Sequence, residues 1–251
     1  ASIIQANGKP VFADVDLKTQ NISITSIKKV ITKKTRAIIC VHLGGYPCDM
    51  NSIVSFARKN NLFVIEDCSQ AHGAKIKDKY IGTFGDIATW SFCNDKIIST
   101  GGEGGMISTN KKKYWSFIWS YKDQGKDHTK YFKKNNNNVF KYIHDSFGSN
   151  YRITEMQASL GINQLKKLSS RIKIRNEYAN FFNNLLKNYR SIDFFEYNKS
   201  YTNSYYRYYF KLNSKFLKKN WSRNRILKYL NNFGINCGSG SCPEIYLEKS
   251  F

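Results

Sequence analysis

Phe63-Val-Ile-Glu-Asp67-Cys-Ser-Gln70-Ala-His-Gly-Ala74 is a short apolar run that closes on two acids and then dissolves into small and polar residues. That is the pattern of a strand buried on both faces of a parallel sheet, delivering a carboxylate at its carboxyl end. Comparable runs lie at residues 10–15, 36–43 and 87–92. Between them, residues 24–31 and 50–59 carry apolar side chains at helical spacing, and Asp49 or Asn51 is placed to cap the second helix. Strands alternating with helices define an α/β layer architecture.

Beyond residue 105 the text changes character. A turn-rich stretch from Asp123 runs into four asparagines at 135–138, which favour a mobile loop. Residues 154–187 follow with a long helical pattern carrying Met156, Leu160, Leu165 and Leu168, with Gly161 as a close contact or a break. Residues 205–212, rich in tyrosine, read as a strand, and a further helix is expected around 223–233. The expected organisation is a large cofactor-binding α/β domain over 1–164 and a smaller α+β domain over 165–251.

The composition narrows the field of function. A chain of 251 residues with 41% apolar content can bury a real core. Forty basic against 18 acidic residues give a net charge of +22, which suits an anionic partner. No recognition helix, zinc-finger spacing or basic-aromatic repeat accompanies that charge, so it reads as solvated surface and nucleic acid is not expected. Six cysteines occur without a C-x-x-C pair, which suggests free thiols in a reducing compartment. No metal site is expected, because Cys237 and Cys242 lack identifiable partner ligands. No window approaches the roughly 18 uninterrupted apolar residues of a membrane span, and a cytoplasmic location is expected.

The chemistry concentrates in a second stretch, Ser91-Phe-Cys-Asn-Asp-Lys96, followed by the glycine platform Gly101-Gly-Glu-Gly-Gly105. A lysine at a strand exit, paired with an acid that ends a short apolar strand upstream, suits pyridoxal phosphate chemistry. The ε-amine forms a Schiff base with the cofactor and afterwards moves protons. The acid keeps the pyridine nitrogen protonated, since an opposite charge at contact shifts a pKa by about 1 to 3 units. Each residue also has a plain reading: Asp67 as a turn former, Lys96 as a surface lysine, the glycines as a tight turn, Ser91 as strand packing. Their order and spacing favour the joint reading.

The ordered set resembles the DegT/StrS-type sugar aminotransferases, of the aspartate-aminotransferase fold group of pyridoxal phosphate enzymes. The resemblance runs through nearly the whole chain: the segments at 8–16, 41–47 and 66–74, Gly85-Asp86, Ser91-Phe92 with Lys96, Gly102-Glu-Gly-Gly105, Asn150-Tyr-Arg-Ile-Thr-Glu-Met-Gln-Ala158, and Arg171 with Arg175. It implies a three-layer, mostly parallel sheet with a smaller C-terminal domain. By resemblance Lys96 is the Schiff-base lysine, Asp67 pairs with the pyridinium nitrogen, Gln70 sits near the ring hydroxyl and Ser91 touches the phosphate. Asn150 matches the asparagine that reaches the phosphate in a neighbouring subunit, which implies a homodimer with shared active sites; its plain reading is a loop turn. His72 is given no chemical step and reads as a hydrogen-bonded structural histidine.

The implied reaction takes nitrogen from glutamate and delivers it to a keto group of a nucleotide-linked sugar, for a surface polysaccharide or lipopolysaccharide. Lys96 argues against the dehydratase branch, in which histidine replaces the lysine. The competing reading is an inactive piece, or a regulatory or nucleic-acid-binding protein on the same fold. A Ser-Gly-Thr type phosphate loop, an aromatic ring cover and the remainder of the small domain are features of the family that the sequence does not contain. The chain is therefore expected to be an internal piece of a longer enzyme, or a truncated product, with weak cofactor binding and an exposed apolar patch.

Overall fold

The computed structural model describes residues 1–134, 140–195, 197–240 and 244–250. The asparagine run at 135–138 and Cys242 lie outside the described residues.

Helices α1 (Ser2–Gln5) and α2 (Ile24–Val30) precede strand β1 (Ala37–Val41), which passes through helix α3 (Met50–Lys59) to β2 (Phe63–Asp67). The short strands β3 (Lys75–Ile76) and β4 (Lys79–Tyr80) follow, then β5 (Ile87–Ser91) and β6 (Gly105–Ser108). Among the described residues the main sheet has the order β1-β2-β5-β6. β1, β2 and β5 run parallel and β6 is antiparallel to β5, so the fold is α/β with a mixed, mostly parallel sheet.

Burial alternates along the strands. Ile38, Cys40, Val64, Glu66 and Ala88 are buried, while Ile39, Ile65, Asp67, Ile87 and Thr89 are half-buried. Against the buried face packs α3, whose Met50, Ile53 and Ala57 return at helical spacing and are fully enclosed. Enclosing a Met or Ile side chain is worth about 1.5–3 kcal/mol. The Asp49 carboxylate caps the helix by accepting from the Ser52 N–H at 3.2 Å, a contact worth about 1 kcal/mol.

Three elements differ from expectation. Residues 10–15 form no strand beyond a single bridge, Val15 to Ile22. The reason is local: Pro10 has no N–H, and the Asp14 and Asp16 side chains capture the backbone N–H groups of Val15, Lys18 and Thr19. The helical stretch from 154 is two helices, α6 (Glu155–Lys166) and α7 (Leu168–Leu186), divided at Lys167. Thr154 and Gln157 form a reciprocal capping box at the start of α6. In the tyrosine-rich run only Lys211–Leu212 is a strand. Tyr205 takes a left-handed φ of 45°, and Ser204 N–H and Arg207 N–H turn to the carbonyls of Gly45 and Gly44, so the run is bent. Helices α4 (Lys112–Lys122) and α5 (His128–Phe132) had no clear periodic signal.

The chain forms two compact units. The first holds residues 1–177 and 197–207, and includes β8 (Tyr201–Thr202) paired antiparallel with β3. The second holds 178–195, 208–240 and 244–250 of the described residues. In it β7 (Ile192–Asp193) pairs with β9 (Lys211–Leu212), and α8 (Arg223–Asn232) is capped by Ser222. Tyr208 donates its phenol to Asn183 Oδ1 at 2.8 Å within the same unit.

Candidate active site

Strand register assembles the site. Asp67 pairs with Thr89 across β2 and β5, so the two side chains share one face; Ser91, two positions on, shares it as well. A carboxylate and a hydroxyl thus stand on the same sheet face at the carboxyl ends of adjacent parallel strands, where ligands gather in α/β folds. Glu66, one residue earlier, points into the opposite, buried face.

Lys96 lies in the loop that leaves β5 and returns as β6. That loop is tied along its length: Phe92 N–H donates to the Gly104 carbonyl at 2.7 Å, Thr100 N–H to the Phe92 carbonyl at 3.1 Å, and Lys96 N–H to the Cys93 carbonyl at 3.0 Å. Gly104 permits the closure, because a Cβ there would sit 2.3 Å from Thr100 Oγ1. Helices clamp the loop from outside: Gln157 Nε2 donates to the Glu103 carbonyl at 2.8 Å, and the Arg171 guanidinium to the Ile97 carbonyl at 3.1 Å. Ile97, Ile172 and Tyr206 pack with Leu168 in a small second core. The Lys96 side chain is 16% exposed, with its Nζ 4.9 Å above the Tyr206 ring and 3.5 Å from Asp95 Oδ1.

Gln70 is oriented by the backbone. The Gly44 N–H donates to its Oε1 at 2.7 Å, which fixes the plane of the amide and identifies its oxygen. Gly45 is needed beside it, with φ of 99° and a Cβ position 2.4 Å from Ser204 Oγ. Asp67 Oδ1 accepts from the Ser69 N–H at 3.0 Å. Asn150 is exposed, bridges to Asp123, and accepts from Arg152 Nε at 3.1 Å.

Beneath the site, Glu66 accepts from the N–H groups of Gly82 (2.8 Å), Phe84 (2.8 Å) and Gly85 (2.6 Å). Burial works to raise its pKa, but the facing His42 and the N–H donors hold the carboxyl below its ordinary range. The ligand atoms of His42, Glu66 and Cys68 lie within 4.8 Å of one another. The Glu66 oxygens are already engaged and the group is sealed in the core, which makes it a structural cluster. His72 is structural in position: it is 2% exposed, close to the Ser91 backbone, and its ring nitrogens make no hydrogen bond of good geometry among the described residues. Its ring lies 5.5 Å from Trp90 and 5.9 Å from Phe92. Burial pushes its pKa down to about 4; the Lys96 charge adds to the shift and the Ser91 backbone opposes it.

Asp95, Tyr206 and Arg207 are site residues that the sequence pattern hid. Asp95 stood inside the lysine motif without a role of its own, and Tyr206-Arg207 sat in a run that resembled an ordinary strand. Tyr206 donates its phenol to Asp95 Oδ2, and Arg207 lies 3.6 Å from the same oxygen. An acid and a hydroxyl on one face, an oriented amide, and a lightly exposed amine in a braced loop match the needs of pyridoxal phosphate: ring nitrogen, phosphate, ring hydroxyl and aldehyde. The residues present fit that group.

Fold and site together define the class, a pyridoxal phosphate-type aminotransferase scaffold. A sequence profile of the DegT/DnrJ/EryC1/StrS aminotransferase family matches residues 1–240, and the chain belongs to that family. It is 45% identical over 174 residues to GDP-perosamine synthase of Escherichia coli O157:H7, covering 69% of this chain and 44% of that protein. The fold is similar to the X-ray structure of the aminotransferase from Psychrobacter cryohalolentis, with a TM-score of 0.96 and 42% identity over 99% of this chain and 65% of that one. It also resembles the E. coli GDP-4-keto-6-deoxy-D-mannose-3-dehydratase solved with bound hydrated pyridoxal phosphate, with a TM-score of 0.83 and 26% identity over 99% of this chain and 64% of that one. The chain spans about half the length of the curated relatives it matches. Among the described residues no helix is long and apolar enough to cross a membrane.

Proposed function

We propose that the protein is a pyridoxal phosphate-dependent aminotransferase that moves an amino group from glutamate to the keto group of a nucleotide-linked sugar, for surface polysaccharide or lipopolysaccharide synthesis. The observation that carries this reading is the shared face of Asp67 and Ser91 at the carboxyl ends of β2 and β5, beside the loop that presents Lys96. The family and the name of the relative from E. coli O157:H7 support it.

Pyridoxal phosphate, when bound, supplies an electron sink that makes the carbon beside an amine acidic. Lys96 would hold it covalently at Nζ and then accept and return the proton from that carbon. The Asp67 carboxylate would secure the proton on the ring nitrogen. Gln70 would meet the ring hydroxyl with the amide group left by Gly44, and the Ser91 hydroxyl would hold the phosphate. Asn150, exposed and far along the chain from these groups, suits the phosphate of a neighbouring subunit, which makes the working form a homodimer with shared sites. The thiol content and the soluble substrates suit the cytoplasm.

The test is the glutamate half-reaction. Protein supplied with excess pyridoxal phosphate and glutamate is expected to release 2-oxoglutarate, and Lys96→Ala none; equal release by both rules the reading out.

A further inference from the structure

The Asp95 carboxylate bridges two cations. Its Oδ1 stands 3.5 Å from Lys96 Nζ, and its Oδ2 stands 3.6 Å from an Arg207 terminal nitrogen while accepting from the Tyr206 phenol. The Tyr206 ring lies under both cations, with Lys96 Nζ at 4.9 Å and the Arg207 guanidinium carbon at 4.6 Å from its centre. Arg207 and Asp95 are open to solvent, with side chains 55% and 45% exposed. Tyr206 is buried and rigidly seated in the second core.

Further positive charge stands behind this group. The Arg175 guanidinium donates to the Tyr205 carbonyl at 2.8 Å. Its pKa is held down by burial first and then by the charges of Arg207 and Arg171. Lys96 and Arg207 thus flank one acid, and Arg175 is close enough to feel the Arg207 charge. One carboxylate between two cations leaves the group net positive, and such a surplus favours a second anion.

We propose that Arg207 is the recognition residue for a carboxylate of the amino donor, and that Asp95 holds that place as an internal stand-in until the donor displaces it. This rests on the aminotransferase reading above. A donor must bring its amine to Lys96, and a dicarboxylic amino acid carries its acid groups within a few bonds of that amine. The position that Asp95 now fills is an anion site between Lys96 and Arg207. A guanidinium receives a carboxylate through two parallel N–H donors, which a lysine cannot reproduce. Tyr206 is the positioning residue: its ring fixes the guanidinium plane by stacking.

Glutarate serves as the probe, because it has both acid groups and no amine to react. Calorimetric titration of the protein without cofactor is expected to show saturable glutarate binding, weakened about tenfold or more in Arg207→Gln and strengthened in Asp95→Asn. With cofactor and glutamate, Arg207→Gln is expected to raise KM far more than it lowers kcat, with Arg207→Lys giving partial rescue. Unchanged glutarate affinity in Arg207→Gln overturns the proposal. So does weakening by Asp95→Asn as large as that by Arg207→Gln, which would make Asp95 a mere support for the arginine. A parallel titration with pyrophosphate separates the alternative: loss of pyrophosphate binding in Arg207→Gln with glutarate retained assigns the site to the sugar nucleotide and overturns the donor assignment. Cofactor uptake measured separately by absorbance keeps the two readings apart. Failure of uptake with glutarate binding intact counts against the aminotransferase, and the reverse counts against Arg207.

Discussion

The Glu66 carboxylate and the His42 imidazole face each other at 3.4 Å, and neither side chain is exposed. With three backbone N–H groups on the same carboxylate, this contact pins the end of β2 and the turn at 82–85. It thereby sets the strand phase that turns Asp67 to the opposite face.

Glu66→Ala is expected to lower stability by about 3–5 kcal/mol, because it leaves His42 and buried N–H donors without their partner. The folded carboxyl pKa lies below the ordinary value of 4.5, so its contribution is complete above that pH and is lost as pH falls through the folded value. Urea unfolding checks both: a cost under about 1 kcal/mol would exclude the role given to the pair.

His72 has the opposite chemistry and the same sign. Its folded pKa of about 4 lies below the ordinary 6.5; within that window the unfolded chain takes up a proton that the native state refuses. Stability should therefore fall by about 2 kcal/mol between roughly pH 7.5 and pH 5 on account of this residue. His72→Phe, placing a third apolar ring beside Trp90 and Phe92, is expected to remove that slope. Retention of the full slope in the variant would contradict the assignment.

Gly45→Ala tests the seat of Gln70. The new methyl meets Ser204 Oγ at 2.4 Å, Tyr205 N at 2.9 Å and the Gln70 carbonyl at 3.0 Å, on a backbone with φ of 99°. A cost of about 2–4 kcal/mol is expected from strain and overpacking, together with weaker cofactor uptake. Full stability would show that the Gly45 turn is dispensable.

The thiols divide by burial. Cys40, Cys48 and Cys68 are enclosed in the core, where burial and the Glu66 charge push Cys40 up to about 12 and the other two well above the ordinary thiol range. Cys93 is half-exposed, with its thiol donating to Glu103 at 3.3 Å. Labelling by a maleimide at neutral pH is expected to reach Cys93 without denaturant, and the three core thiols only on unfolding. Early labelling of Cys68 would be inconsistent with the packing around Glu66.

What the sequence made legible follows from periodicity and chemistry. β1, β2 and β5 were visible because buried strands leave continuous apolar runs, and α3 because Met50, Ile53 and Ala57 recur with a cap at Asp49. The shared face of Asp67 and Ser91 lies beyond what spacing can establish, since it depends on the Asp67–Thr89 register, and a shift of one residue would have reversed it. The run at 10–15 misled because side-chain capture by Asp14 and Asp16 competes with sheet pairing and leaves no mark on hydropathy. Tyr206 and Arg207 were illegible as site residues for a related reason. Their β-forming composition concealed the left-handed turn at Tyr205 that carries them beside Lys96.

Borohydride reduction tests the central claim most directly. Protein mixed with excess pyridoxal phosphate, reduced and digested, is expected to carry the cofactor predominantly on the peptide containing Lys96, with that label strongly diminished in Asp67→Ala and other lysines labelled only in trace. Label spread evenly over the surface lysines, with Lys96 no more modified than its neighbours, would contradict the account.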